Sequence, residues 1–297
     1  MKNLRNLPIF ACLFLSVLIP LSAAAVPPPS PAGGNYLVLD GVDDHAVLDF
    51  EAFGLLMPKD TDEFTFEAWI YPTTPLNKDI HAMVLSQQVM MYIVTHDHRE
   101  FAGLVVPKGH LLLVCSAHLA RDVGHVIVRN PPIKFFPNQW NHIAFQGGKG
   151  QKTTVIVNDF ARPTREEKGT ILAHDADKIT EFGGHPQDFT LGGWDAKVPF
   201  HKGHSWGHFA GYIDEVRISK VVRYNTAKRG FTPRTKFKND AKTVALWHFD
   251  EPRGTRAFSD TSGNAYHLMG KNGAEIDGTL AVEAEGKLAT IWGRLKR

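Results

Sequence analysis

The sequence is short of cysteine, of helical periodicity and of net charge, and each shortage removes a class of protein. Only two cysteines occur in 297 residues, Cys12 inside an N-terminal apolar run and Cys115 in LLLVC. With the N-terminal run set aside, one cysteine remains. That excludes an intramolecular disulfide and the small disulfide-stapled folds. Cys115 reads as a buried thiol acting as a small hydrophobe, and a reactive thiol or an intermolecular bridge is the alternative. Stability must then come from a large core or a bound metal, and at this length the core alone can suffice. No segment of ordinary helix length repeats its apolar residues every 3.6 positions, so a helix bundle is excluded. Short helical turns are expected at most near residues 51–56 and 226–228.

Charge is nearly balanced. Lys and Arg total 33 and Asp and Glu 31. Lys2 and Arg5 are the only charged residues of the first 25. Without that segment the two signs are equal, and no global field draws the protein to nucleic acid or to anionic lipid. Sequence motifs for common catalysis are also missing. There is no P-loop and no H-E-x-x-H. The E-x-D-x-E carboxylate arrangement of sandwich glucanases is absent too, so no pair is spaced as acid and nucleophile. Glu63 and Glu67 share a strand face, and Asp214 and Glu215, as neighbours in a strand, are expected on opposite faces. No residue is assigned a catalytic role.

The N-terminus has the order of a secretory signal peptide. Lys2 and Arg5 precede an apolar core from residue 9 to 21, and Ala23, Ala24 and Ala25 form a small-residue cleavage site. The apolar run is short and contains Pro20, which argues against a permanent transmembrane anchor. Residues 1–25 are therefore expected to be a signal peptide, and no transmembrane segment is expected after its removal. Residues 26–35 are a Pro/Gly-rich linker containing PPPSP. The expected location is extracellular or at the cell surface, with the periplasm an alternative.

From residue 36 onward, short apolar runs alternate with turn residues. FTFEAWIYP, residues 64–72, sets Phe64, Phe66, Ala68 and Ile70 against Thr65, Glu67, Trp69 and Tyr71. VMMYIVT, HLLLVC, HVIVR, WNHIAFQ, TTVIVN, DFTLGG, YIDEVRIS and TVALWHF read alike. PTTP, FPNQ, GGKGQ and DEPRG supply the turn chemistry between such runs. The pattern predicts an all-β chain folded as a two-sheet antiparallel β-sandwich. Trp69, Trp140, Trp247, Phe66, Phe145 and Phe249 are expected to fill the space between the sheets.

The ordered blocks resemble the laminin-G-like jelly roll of the concanavalin A-like lectin/glucanase group. They are YLVLDGVDD, FTFEAWIYP, WNHIAF, VND, LGG, F-x-G-x-I-D-E-V-R-I, VALWHFDE and D-x-S-G-N, spread over residues 36–270. Two departures stand out. Asp159 replaces the usual glycine of V-N-G, and the cysteine pair of many relatives is missing. Residues 271–297 are left as a C-terminal tail, either a cap on the sandwich or a surface-docking signal.

Three constellations carry candidate chemistry. Asp40, with Asp43 and Asp44, opens the domain, and Asp214, Asp260 and Asn264 lie late in it. Calcium takes six to eight oxygen ligands from such loops, and the resemblance implies calcium near these positions. The opposing reading is turn chemistry, since Asp and Asn bond to nearby backbone amides. Fifteen histidines are present, including His96 and His98, and HKGHSWGH groups His201, His204 and His208. Imidazole clusters bind zinc, nickel or copper, yet this spacing lacks cysteine or carboxylate partners. The same loop offers Trp194, Asp195, His201, His204, Trp206 and His208 for a sugar, with indole faces to stack and polar groups to orient. Its aromatics folded down onto the sandwich are the alternative. The sequence thus points to a carbohydrate-binding module with structural calcium. A structural or adhesive protein binding other surface proteins is the alternative, and a glycoside hydrolase or polysaccharide lyase is less favoured.

Overall fold

The computed structural model describes residues 29–58, 61–73, 81–95, 111–118, 125–129, 136–148, 151–158, 160–163, 186–194, 206–225 and 232–278. The expected signal segment lies outside them, as do His96 and His98.

Two sheets form the described fold. The eight-stranded sheet runs β10 (Phe160–Pro163), β9 (Gln151–Val157), β8 (Asn141–Gly148), β3 (Glu63–Pro72), β13 (Ala210–Ser219), β1 (Asn35–Asp40) and β17 (Glu275–Gly278). β14 (Thr243–Trp247) also pairs with β13. The nine-stranded sheet runs β15 (Ala257–Phe258), β16 (Leu268–Lys271), β2 (His45–Leu48), β11 (Phe189–Leu191), β4 (His81–Ser86), β5 (Val89–Thr95), β6 (Leu111–His118) and β7 (His125–Arg129). β12 (Trp206–His208) adds to β4 as the one parallel pair among the described strands. A single helical turn, α1 (Phe50–Phe53), starts at Asp49, whose carboxylate accepts from the amides of Glu51 and Ala52. β17, within the stretch expected to be a tail, pairs with the outer edge of β1 and carries that sheet to residue 278.

Period-two alternation places the core. Phe64, Phe66, Ala68 and Ile70 of β3 and Phe145 of β8 meet Val84 and Ile93 of the other sheet in one cluster. Trp247 lies flat on Phe189 at 5.5 Å and joins the sheets. Cys115 belongs to this cluster, and burial pushes its thiol well up. Two of the six expected core aromatics lie elsewhere. Trp69 and Trp140 pack with Phe237 and Leu246 in a separate group. Trp69 follows the outer parity of β3, and residues around Val221–Tyr224 and Arg234–Phe237 cover that face.

A polar network fixes that cover. Thr65 Oγ1 donates to the Val221 carbonyl, and Gln146 bonds both the amide and the carbonyl of Tyr224. Beneath it Glu67, fully buried, accepts from Arg217 Nε at 2.8 Å and Tyr224 Oη at 2.5 Å, with His142 Nε2 at 3.2 Å. Glu67, expected to belong to a structural motif, is therefore held in an ion pair.

Candidate functional site

Four chain segments meet at one rim of the sandwich. The first is the loop after β1. Asp40 Oδ1 accepts from the amides of Val42, Asp43 and Asp44 at 2.8–3.4 Å, which folds the acidic run back on itself. Asp44 accepts from the Asp40 and Gly273 amides, and Asp43 accepts through its carbonyl from Asn272 Nδ2 at 2.8 Å. The turn after β16 thus pins the acidic loop. Carboxylate oxygens of Asp40, Asp43 and Asp44 lie within 4.8 Å of one another. Burial raises the Asp44 carboxyl, and the charges of Asp40 and Asp43 add to that against its amide bonds.

The other two segments bring imidazole and indole. His208, at the end of β12, sits with its ring 5.7 Å from that of His45. His45 Nδ1 lies 2.9 Å from the Asp43 carbonyl. Gly193 lets the two approach, since a Cβ there would stand 2.9 Å from His45 Cβ and 2.8 Å from His208 Cδ2. Burial and His45 lower the His208 pKa, opposed by Asp43, Asp40 and Asp44. Trp194 follows Gly193 directly. The acidic loop and His208, separate in sequence by more than 160 positions, share one place.

The remaining candidates are distributed differently. Asp195, His201 and His204 lie outside the described residues. Trp206 is half-buried on the outer face of the nine-stranded sheet, its ring 5.0 Å from His81 and 5.1 Å from Tyr92. It packs there with Trp194 against Met83, Met90 and Val114. That contact follows the folded-down alternative for the two indoles, with Trp194 and Trp206 each still part-exposed. Asp260 accepts from the amides of Leu246, Ser262 and Tyr266 and from the Ser262 hydroxyl. Asn264 Nδ2 donates to the Val244 carbonyl. Both therefore hold a turn, the alternative stated for them. The structure gathers Asp40 with Asp43 and Asp44; neither Asp214 nor Asp260 joins an acidic or imidazole group of three among the described residues.

Asp214 stands alone for another reason. β13 bulges at this point, and Glu215 takes φ 51°, so the expected opposite faces give way to two buried carboxylates. Glu215 accepts from the Phe237 amide at 2.6 Å and lies 2.6 Å from His248 Nδ1. Asp214 accepts from the Ser30 hydroxyl and the Glu215 amide. Burial pushes its carboxyl well above the ordinary range, the Ser30 hydroxyl opposes, and the Glu215 charge adds. A carboxyl raised on folding contributes stability that is full below its unfolded value, about 3.9, and is lost as pH rises through the folded value. Asp214→Asn is therefore expected to flatten the decline of stability above about pH 4 in buffer with chelator. Urea midpoints at pH 5 and pH 8 measure it, and parallel declines in both proteins would contradict it.

His45 is a site residue that the sequence reading misses. Its signal was its position, directly after the acidic run.

Two sheets, antiparallel except for the β12–β4 pair and with the first and last described strands paired in one of them, make the all-β two-sheet sandwich expected from the sequence. No protein-family profile matches the chain, and no curated protein matches it. Among solved structures, a protein from Bacteroides ovatus ATCC 8483 proposed to bind carbohydrate is similar at 16% identity and a TM-score of 0.47. That match covers 82% of this chain and 60% of the other, so this chain spans under two thirds of that protein. The native heptameric SAP-like pentraxin of Limulus polyphemus follows at 12% identity and 0.43, covering 65% and 79%. Domains LG4-5 of the mouse laminin alpha1 chain are similar at 12% and 0.41, covering 68% and 45%. Among the described residues, no helix is long and apolar enough to cross a membrane.

Proposed function

We propose that this chain is an extracellular or cell-surface ligand-binding module that takes a glycan at the rim. The observation that carries the reading is the convergence of the Asp40–Asp44 carboxylates, His45 and His208 on one small area, with Trp194 following Gly193 directly. Calcium fits the acidic loop on its donor set. Three carboxylates with mutually close oxygens crowd negative charge, and an oxygen-seeking cation relieves it. Asp40, Asp43 and Asp44 would hold the ion, which would neutralise the loop. His208 and Trp194 would then orient a sugar by hydrogen bonding and by stacking.

Calcium titration tests the metal. An ion that binds only the folded chain stabilises it by about 2.7 kcal/mol at a hundredfold excess over Kd. For a domain of this size that raises Tm by about 5–10 °C. Asp43→Asn is expected to abolish most of the rise. No shift at millimolar calcium would leave the acidic run as turn chemistry alone. Trp194→Ala should weaken glycan binding while leaving the calcium response intact; a glycan array blank in calcium would sink the ligand assignment.

A further inference from the structure

The outer face of the eight-stranded sheet carries an aromatic patch that the rim does not use. Ile213 and Ile70 point into the core, so by alternation Tyr212 and Tyr71 point outward. Register puts Tyr212 opposite Tyr71, and Asn141 opposite Ile70, so Trp140 falls beside Tyr71. The ring of Tyr71 stands 5.5 Å from Tyr212 and 5.6 Å from Trp140. Tyr36 closes the circuit at 5.0 Å from Tyr212 and 5.7 Å from Trp140. Tyr36 is 1% exposed and forms the base, while the other three rings are half-buried.

We propose that Tyr71, Tyr212 and Trp140 form a second carbohydrate-binding surface, one that stacks a neutral sugar ring independently of the rim. It rests on reading the molecule as a glycan binder, but on none of the rim residues. Three features choose this ligand. First, the rings are tilted 59–69° to one another, so each braces the next and the facets are formed before a ligand arrives. Second, among the described residues the hydroxyls of Tyr36, Tyr71 and Tyr212 make no hydrogen bond to protein. A polyhydroxylated ring supplies both an apolar C–H face and hydroxyl partners for exposed phenols. Third, the charges acting on Tyr36 and Tyr212 are those of Asp277 and Arg253, which pair with each other. The patch is therefore locally neutral and suits an uncharged ligand. Burial and Asp277 raise the Tyr36 phenol to about 12, which keeps it protonated. A quaternary ammonium fits poorly, because rings 5.0–5.7 Å apart around the circuit leave no open centre.

Affinity electrophoresis of the full chain through gels containing hydroxyethylcellulose, xylan, galactomannan or laminarin tests this. Four proteins are compared: the parent, Tyr71→Ala/Tyr212→Ala, Tyr71→Phe/Tyr212→Phe and the rim pair Trp194→Ala/His208→Ala. The parent should be retarded by at least one neutral polysaccharide, with or without chelator. The alanine pair should lose about tenfold or more in affinity, and the phenylalanine pair a few-fold. The phenylalanine pair keeps the rings and thus guards against misfolding, and melting curves on all four proteins check it. Retardation that survives in a folded alanine pair, or that is lost only in the rim pair, would overturn the proposal while leaving the rim reading standing. Parent protein unretarded by every polysaccharide would overturn it as well, and the calcium response would still judge the rim.

Discussion

Arg217→Met is expected to lower stability by about 3–5 kcal/mol, because it leaves the Glu67 carboxylate buried without its cation. Glu67 is fully buried, with Nε and Nη2 of Arg217 on its Oε1. Burial alone would raise the Glu67 carboxyl; the His142 hydrogen bond and the Arg217 charge outweigh it and hold the group below its ordinary value. A depressed carboxyl contributes stability that is present above its unfolded pKa and is lost as pH falls through the folded one. Removing Arg217 weakens the depression and lets burial push the group up. The variant should then lose less, relative to the parent, at pH 5 than at pH 7. Urea denaturation at the two pH values measures the difference. Arg217→Met/Glu67→Gln should recover much of the loss, since neutralising both partners removes the stranded charge. If the double variant is no better than the single one, the cost lies in packing over Phe237, whose ring the guanidinium covers at 4.7 Å.

Trp247→Ala should cost about as much, roughly 3–5 kcal/mol, by a different route. The indole is 0% exposed, stacks on Phe189 and donates from Nε1 to the Tyr266 carbonyl at 2.8 Å. Alanine opens a cavity between the sheets and strands that carbonyl. Trp247→Phe keeps most of the stacking and should cost less than half as much. Denaturant midpoints with unchanged m-values check both, and a small loss in Trp247→Ala would mean the sheets close over the gap. Phe189 begins the strand that leads to Gly193 and Trp194, so ligand binding at the rim is expected to weaken in the same order.

The strands were legible because each run carries period-two alternation and turn residues bound it. β3 was read face by face: Phe64, Phe66, Ala68 and Ile70 do point inward. What alternation could not reveal was that the other face of β3 is also buried. Trp69 Nε1 donates to the Arg234 carbonyl and Thr65 to the Val221 carbonyl, and a backbone acceptor leaves no mark in residue type. Hence Trp69 and Trp140 were expected between the sheets and lie outside them. At the rim, the carboxylates and His208 were each visible, but their meeting depends on β12 lying against β4, a long-range pairing that no local pattern encodes. The Asp214–Glu215 pair misled because a bulge suspends alternation. Asn158 shows the converse. It takes φ 55° at the β9–β10 hairpin while bonding Asn141 and His142, so the turn is anchored one residue before Asp159, which lies outside the described residues.

The pairing of β1 with β17 has a kinetic consequence. Asn35 sits opposite Gly278, so one edge of the sheet forms only when some 240 intervening residues have been made and folded back. Loop closure of that length yields no contact energy until late, and chains of such topology fold slowly. On the ribosome β1 can pair with β13 first, but its outer edge waits for β17, the last described strand.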